Sequence, residues 1–324
     1  AFTMSSSIRS ERKYLEILRI LAESHEPLGA KRLSEKMAER GFVLSDRAVQ
    51  YYLQYLDEMG FTRKVGNRGR LLTDAGVAES ESALVDEQIG FIISRLEQLA
   101  FQSTFDLETG AGSIAYNLSF VREEDLEGVT AAFDEVAKAG YGFLNAYRIV
   151  DSDPRVPEGY TGIMTACSVT LDGILQKMGI PTRLEYAGRI AIDKDGSAGF
   201  LDLIGYRGTS VDPLHLFISA GLTSINRLVT TGSGVGLANI RAVPEAARNR
   251  IEAAIGRMEE YGFTFPTGGG VGEYNLPKHP YRLSIVSFSG MNMIGNAIEK
   301  GYTVRTEIGA GTIPFERMMD TTSR

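Results

Sequence analysis

Three groups of residues have types and spacings that could do chemistry. The first is Gly232-Ser233-Gly234-Val235-Gly236, a composition that can cradle phosphate. A dinucleotide loop, however, needs a buried strand before the glycines, helix directly after, G-x-G-x-x-G spacing and an acidic residue about 20 positions on. Here "SINRLVTTG" can supply a strand, but "LANIRAVP" after the run reads as another strand, with Pro244 opening a helix. The run is therefore read as a tight connection between strands, with Asn239 and Arg241 facing either an effector or a partner subunit. The second group is a pair of polar turns: Thr165, Cys167, Ser168 and Thr170, then Ser287, Ser289, Gly290 and Asn292. Each stands between a strand and a helix, where free N–H groups and the helix dipole favour a small anion. The same residues serve equally well as helix caps. The third group is Arg47, Gln50, Tyr51 and Gln54, repeating at helical spacing, with Ser45 and Asp46 at the helix start. Arg suits guanine edges and Gln adenine edges in the DNA major groove, while Ser45 and the helix N-terminus suit a phosphate.

The elements that must position the third group lie in the first seventy residues. Tyr14, Ile17, Leu18 and Leu21 mark one helix, and Leu33 and Met37 mark a shorter one ending at Gly41. Ser45 caps a third helix running to Met59, whose inner face is Val49, Tyr52, Leu53 and Leu56. "FTRKVGNRGRLLT" then forms two short strands around Gly66-Asn67-Arg68-Gly69, a wing carrying Lys64, Asn67, Arg68 and Arg70 toward a phosphate backbone. The alternative use of such a module is protein contact. From Thr73 a further helix begins, and Leu84, Ile89, Ile92, Ile93, Leu96 and Leu99 form a stripe that packs either on the body or on a second chain.

Charge divides along the same line. The whole chain carries -7, yet residues 1–72 hold 13 Lys/Arg against 9 Asp/Glu, so a basic end is attached to an acidic body. No run approaches the roughly 18–20 apolar residues of a membrane span, and no export segment is visible, so a cytoplasmic location is expected. One cysteine, Cys167, excludes an internal disulfide, and three scattered histidines argue against a metal site. No nucleophile elbow or His/Cys/Asp constellation is present. Cys167 beside Ser168 is the remaining candidate nucleophile of an enzyme carrying a regulatory winged helix, and His215 in "VDPLHLFI" reads as a core histidine.

Beyond Phe105 the chain alternates short strands and helices. "TGIMTACSVTLDGILQKMGIPTRLEYAG" and "LSIVSFSGMNMIGNAIEKGYTVRTEIGAG" both read strand, helix, strand. At an offset of 122 residues they align Gly173 with Gly295, Gly179 with Gly301, Arg183 with Arg305 and Glu185 with Glu307, as an internal βαβ duplication would. The expected class is mixed α/β and α+β: a winged helix over 1–79, a connecting helix over 80–103 and a glycine-rich regulatory domain over 104–324.

These blocks carry a family resemblance. "DRAVQYYLQYLDEMGFTRKVGNRGRLLTDAG" resembles the winged helix ahead of NrpR-type repressors and of some ribonuclease R chains. "TACSVTLDGILQKMGIP", "SVDPLHLFISAGLT", "GSGVGLANIRAVPEAAR" and "SIVSFSGMNMIGNAIEKG" are similar to the NrpR regulatory domain. The resemblance implies a repressor of nitrogen-assimilation genes that binds a palindromic operator as a dimer and is released by 2-oxoglutarate. No cofactor and no membrane partner are expected. Where some family members carry two regulatory domains, this chain shows one. An effector-independent architectural DNA binder is the remaining alternative.

Overall fold

The computed structural model describes residues 3–24, 26–77, 80, 91–150, 153–207, 209, 211–267, 269–272 and 274–320, with 3–12 and 91 described by backbone alone. The chain divides into two compact units, residues 1–88 and 89–324.

In the first unit, α1 (Thr3–Glu23), α2 (Ala30–Glu39) and α3 (Asp46–Glu58) surround a core of Ile17, Leu18, Leu21, Leu33, Met37, Val49, Leu53 and Leu56. These are the positions that helical periodicity places inward. Ser45 caps α3, its Oγ accepting from the Ala48 N–H at 3.3 Å. Strands β1 (Thr62–Lys64) and β2 (Arg70–Leu72) pair antiparallel. Leu28, between α1 and α2, bridges to Arg70 and ties the hairpin to the helices. Gly69 makes this possible: φ is +126°, and a Cβ there would lie 2.2 Å from the Leu28 carbonyl carbon. Residues 74–77 are helical; Leu84 and Ile89 of the expected stripe lie outside the described residues.

The second unit opens with α4 (Phe91–Gln102), where Leu96 and Leu99 are buried and Phe101 is exposed. It continues β3 (Ser113–Arg122), α5 (Leu126–Ala139), β4 (Tyr147–Val150), β5 (Tyr160–Ala166), α6 (Val169–Lys177), β6 (Arg183–Ile192), β7 (Ala198–Gly205), α7 (Pro213–Ser219) and α8 (Ile225–Thr231). It closes with β8 (Gly234–Pro244), α9 (Arg248–Glu260), β9 (Arg282–Phe288), α10 (Met291–Glu299), β10 (Arg305–Pro314) and α11 (Phe315–Met319).

Two four-stranded sheets result, in the orders β10-β3-β5-β4 and β7-β6-β8-β9, and every described pairing in them is antiparallel. The two strand–helix–strand units are present, but neither is a βαβ unit within one sheet. Helix α6 carries the chain from β5 in the first sheet to β6 in the second, and α10 carries it back from β9 to β10. Periodicity reports which residues are buried, and strand partners are a separate, long-range matter. The 122-residue offset extends further than the loops that revealed it, pairing α5 with α9 and Asn117 with Asn239.

The glycine run is also resolved differently from its sequence reading. "INRLVTT" is helix α8, not a strand, and Gly232 ends it in the left-handed conformation at φ +72°. Gly234 and Gly236 then begin β8 directly against that helix; a Cβ at Gly234 would lie 2.7 Å from the Leu228 amide nitrogen. These glycines serve close helix–strand packing, with β8 directly after them where a phosphate loop would need a helix.

Candidate DNA face and effector cavity

On α3, Arg47, Gln50, Tyr51 and Gln54 are all exposed, and Tyr51 retains 71% of its accessible surface. Ser45 and Asp46 are exposed at the start of the helix, as are Lys64, Asn67 and Arg68 on the wing. Arg70 is placed otherwise. Its Nε donates to Asp57 Oδ2 at 2.8 Å, and Asp57 Oδ1 accepts from the Thr62 hydroxyl at 2.5 Å, so this arginine braces the wing against the recognition helix. Arg63, exposed beside Lys64, adds positive charge that the sequence reading passed over.

The candidate effector residues are all interior: Thr165, Cys167, Ser168, Thr170, Asn239, Arg241, Ser287, Ser289 and Asn292 are at most 6% exposed. The exchanged strands bring the N-terminal turns of α6 and α10 to a single cavity. Cys167 and Ser168 line it from one turn, Ser289 from the other, and the equivalent asparagines Asn117 and Asn239 contribute from β3 and β8. Its free volume is about 10 Å³, room for about one water molecule.

The remaining predicted residues hold this arrangement from behind. Thr170 Oγ1 accepts from Ala115 N at 3.0 Å and donates to the Cys167 carbonyl at 2.9 Å. Asn292 Oδ1 accepts from Leu237 N at 2.8 Å, and its Nδ2 donates to the Tyr141 and Leu237 carbonyls at 2.7 and 3.0 Å. Thr165 Oγ1 receives Asn117 Nδ2 at 3.5 Å, and a side chain at Gly290 would meet the Ala166 carbonyl at 2.4 Å. Thus Thr170, Gly290 and Asn292 lock helices to strands, and Thr165 ties β5 to β3.

Arg241 is fully buried with its fork engaged. Nε donates to Asp172 Oδ2 at 2.8 Å, Nη1 to Ser287 Oγ at 2.9 Å, and Nη2 to the Ser168 carbonyl at 2.7 Å and Ser168 Oγ at 3.1 Å. Asn239 Nδ2 donates to the same Ser168 Oγ at 2.9 Å, while its Oδ1 accepts from the Tyr206 hydroxyl at 2.8 Å. Burial raises the Asp172 carboxyl, an effect partly offset by Arg241 and by the Thr182 hydroxyl.

Three polar cavity residues stand outside the sequence-predicted set: Asn117, Tyr206 and Asp212. Asp212 caps α7, accepting from Leu214 N at 2.8 Å and His215 N at 3.3 Å, and burial pushes its carboxyl up to about 6. The Asp-Pro pair at 212–213 is an N-cap signature, and it was the available clue. Burial likewise pushes the Cys167 thiol up to about 12, so it is protonated near neutrality and a poor nucleophile. His215, expected in the core, is partly exposed.

The fold defines a winged-helix protein in which a second unit of helices and antiparallel sheets follows in the chain. A family model for the ribonuclease R winged-helix domain matches residues 15–79, and one for NrpR regulatory domains NRD1 and 2 matches residues 89–320. A global nitrogen regulator NrpRI of Methanosarcina mazei is 37% identical over 316 residues, 96% of either chain. The chain belongs to the NrpR family of global nitrogen regulators.

Global nitrogen regulators NrpR of Methanococcus maripaludis and Methanocaldococcus jannaschii are each 29% identical over 299 residues. The chain spans about half the length of these two relatives, 53% and 52%. These curated relatives are named as regulators, none as an enzyme. A crystal structure of a nitrogen repressor-like protein from Methanococcus jannaschii shares the fold, with a TM-score of 0.57 at 23% identity over 69% of this chain and 96% of that one. Among the described residues no helix is long and apolar enough to cross a membrane.

Proposed function

We propose that this chain represses nitrogen-assimilation genes by binding a palindromic operator as a homodimer, and that a small dicarboxylate, 2-oxoglutarate, releases it. One observation carries the effector reading: two helix N-termini, of α6 and α10, converge on one cavity. Helix N-termini attract anions through their free N–H groups and the positive end of the dipole. Ser168 and Asn239 supply hydrogen-bonding groups at the cavity wall, and Arg241 supplies positive charge just behind them. That guanidinium already holds a carboxylate, the chain's own Asp172, so an incoming carboxylate exchanges with existing partners. A cavity with room for about one water is a closed state, so the ligand acts by populating an open one.

Under this reading the exposed face of α3 enters the major groove, Arg47, Gln50 and Gln54 reach base edges, and Lys64, Asn67 and Arg68 reach phosphates. A palindrome with half-sites about one helical turn apart is expected from two such modules. Titration of DNA affinity against 2-oxoglutarate, with calorimetry in parallel, tests the reading. Release of DNA with measurable ligand heat is expected. Absence of heat at millimolar ligand ends the effector reading, and DNA affinity indifferent to ligand would leave an architectural binder.

A further inference from the structure

An irregular stretch of strand β10 packs against α4 at the wall of the cavity. Its register with β3 shifts between Glu307 and Gly311, and Gly309 within this bulge has a φ of +59°. On the cavity side, Gly309 N–H donates to Asn117 Oδ1 at 3.0 Å. The bulge also carries α4: a Cβ at Gly309 would lie 2.7 Å from Leu99 Cδ1 and 3.2 Å from Leu96 Cδ2. Glu307 Oε1 accepts from Arg95 Nη2 of the same helix at 2.6 Å, and Arg155 Nη1 donates to the Ala310 carbonyl at 3.0 Å. Leu96 and Ile308 are themselves walls of the cavity. The chain runs back from α4 through residues 81–90 to the winged helix.

Resting on the effector reading above, we propose that Asn117 senses the ligand and that the β10 bulge passes its response to α4. The amide has a donor to offer, since Asn117 Nδ2 reaches Thr165 Oγ1 at 3.5 Å, the outer limit of a hydrogen bond. A ligand oxygen accepting from Nδ2 turns the amide and withdraws Oδ1 from the Gly309 N–H. An unsatisfied N–H destabilises the bulge as it stands, and ligand volume in the closed cavity presses on Leu96 from the same side. Both effects loosen α4 from Glu307. The equivalent asparagine, Asn239, holds the Tyr206 hydroxyl instead, so the two halves of the domain differ in what a ligand would disturb. Asn117 is thus a positioning residue for the bulge, and Arg95, Glu307 and Leu96 form the clamp.

The test uses the full chain, a duplex selected from a random pool on the ligand-free protein, and 2-oxoglutarate as probe. Calorimetry gives ligand affinity, and fluorescence anisotropy gives DNA affinity with and without saturating ligand. For the unaltered chain the ratio of DNA affinities should be about tenfold or more, within the ordinary range of allosteric coupling. Arg95→Gln and Glu307→Gln alter side chains about a third exposed, 34% and 35%, that do not line the cavity. Each should bind the probe within about twofold of the unaltered chain while the DNA ratio falls below about threefold. Asn117→Ala should lose both ligand affinity and response; should it fail to fold, the two surface variants still decide. Normal probe binding with an unchanged DNA ratio in both surface variants overturns the coupling alone. No probe binding by the unaltered chain overturns the effector reading, and the coupling falls with it.

Discussion

The recognition helix and the cavity are opposite solutions to placing polar chemistry. Helix α3 presents Arg47, Gln50, Tyr51 and Gln54, the proposed base-reading residues, from one segment of 13 residues, outward and in water. The cavity collects groups far apart in the chain: Arg241 and Ser168 are 73 residues apart and Gly309 and Asn117 192, and all are removed from solvent or nearly so. The difference has a thermodynamic consequence. Polar residues on a solvated face can be exchanged at little cost to folding, whereas buried ones are committed to specific partners and destabilise the fold when a partner is lost.

The largest effect expected from this contrast is at Arg241. Arg241→Ala leaves Asp172 buried without its cation and should lower unfolding free energy by about 3–5 kcal/mol in urea titration. Pairing Arg241→Met with Asp172→Leu should recover most of the loss. Were the pair as destabilised as the single variant, the stranded carboxylate would not be the cause.

Next comes Asp212. Its folded carboxyl is raised to about 6 from an ordinary value of 3.8, so the folded state holds the proton more tightly than the unfolded one. Stability from this group is present below the unfolded value and is lost as pH rises through about 6. Asp212→Asn removes that dependence while keeping a cap acceptor. Relative to the unaltered chain, the variant should gain about 2–3 kcal/mol of stability between pH 4 and pH 7, measured by denaturant unfolding at both. A difference that stays flat with pH would place the ionisation elsewhere.

On the exposed face the folding cost should vanish and the functional cost appear. Arg47→Ala with Gln50→Ala should leave the melting temperature nearly unchanged and erase about 1–3 kcal/mol of discrimination per lost base contact, read from competition between the selected duplex and scrambled ones. An unchanged footprint would move base reading off this face. The smallest effect is Arg68→Ala, which should weaken all sequences alike and reduce the salt slope of DNA binding by about 0.9 for one lost phosphate contact. Arg70→Ala should behave differently from its neighbour, costing stability through the loss of Asp57 as well as any effect on DNA. Matching salt slopes and melting temperatures for the two variants would erase that distinction.

Much of the first unit could be read locally. Ser45 as a cap and Gly41 as a stop follow from capping chemistry, and the inward face at Val49, Leu53 and Leu56 and the outward one at Arg47, Gln50 and Gln54 from helical periodicity. Arg70 was grouped with the phosphate contacts because wing position alone does not reveal an aspartate 13 residues earlier. In the second unit the polar turns at Cys167–Ser168 and Ser287–Asn292 were recognisable, yet their meeting at one cavity was not. Asp172 and Tyr206 gave no local sign, one sitting in an apolar helix and the other after a strand. Asn117 did have a sign, its equivalence to Asn239 at the 122-residue offset, visible once the repeat is extended beyond the loops.

The sequence by itself determined the winged helix and the alternation of strands and helices that follows it, because periodicity, caps and turn residues act over a few positions, and its longer blocks carried the family resemblance. Only the tertiary structure decided that the two strand–helix–strand units pass the chain between two antiparallel sheets. It also decided that two helix N-termini face one cavity, that Arg241 is held by Asp172, and that the glycine run packs β8 against α8. Those outcomes depend on which buried surfaces fit together across long separations, and a residue's own type and neighbours encode its burial without naming the partner that covers it.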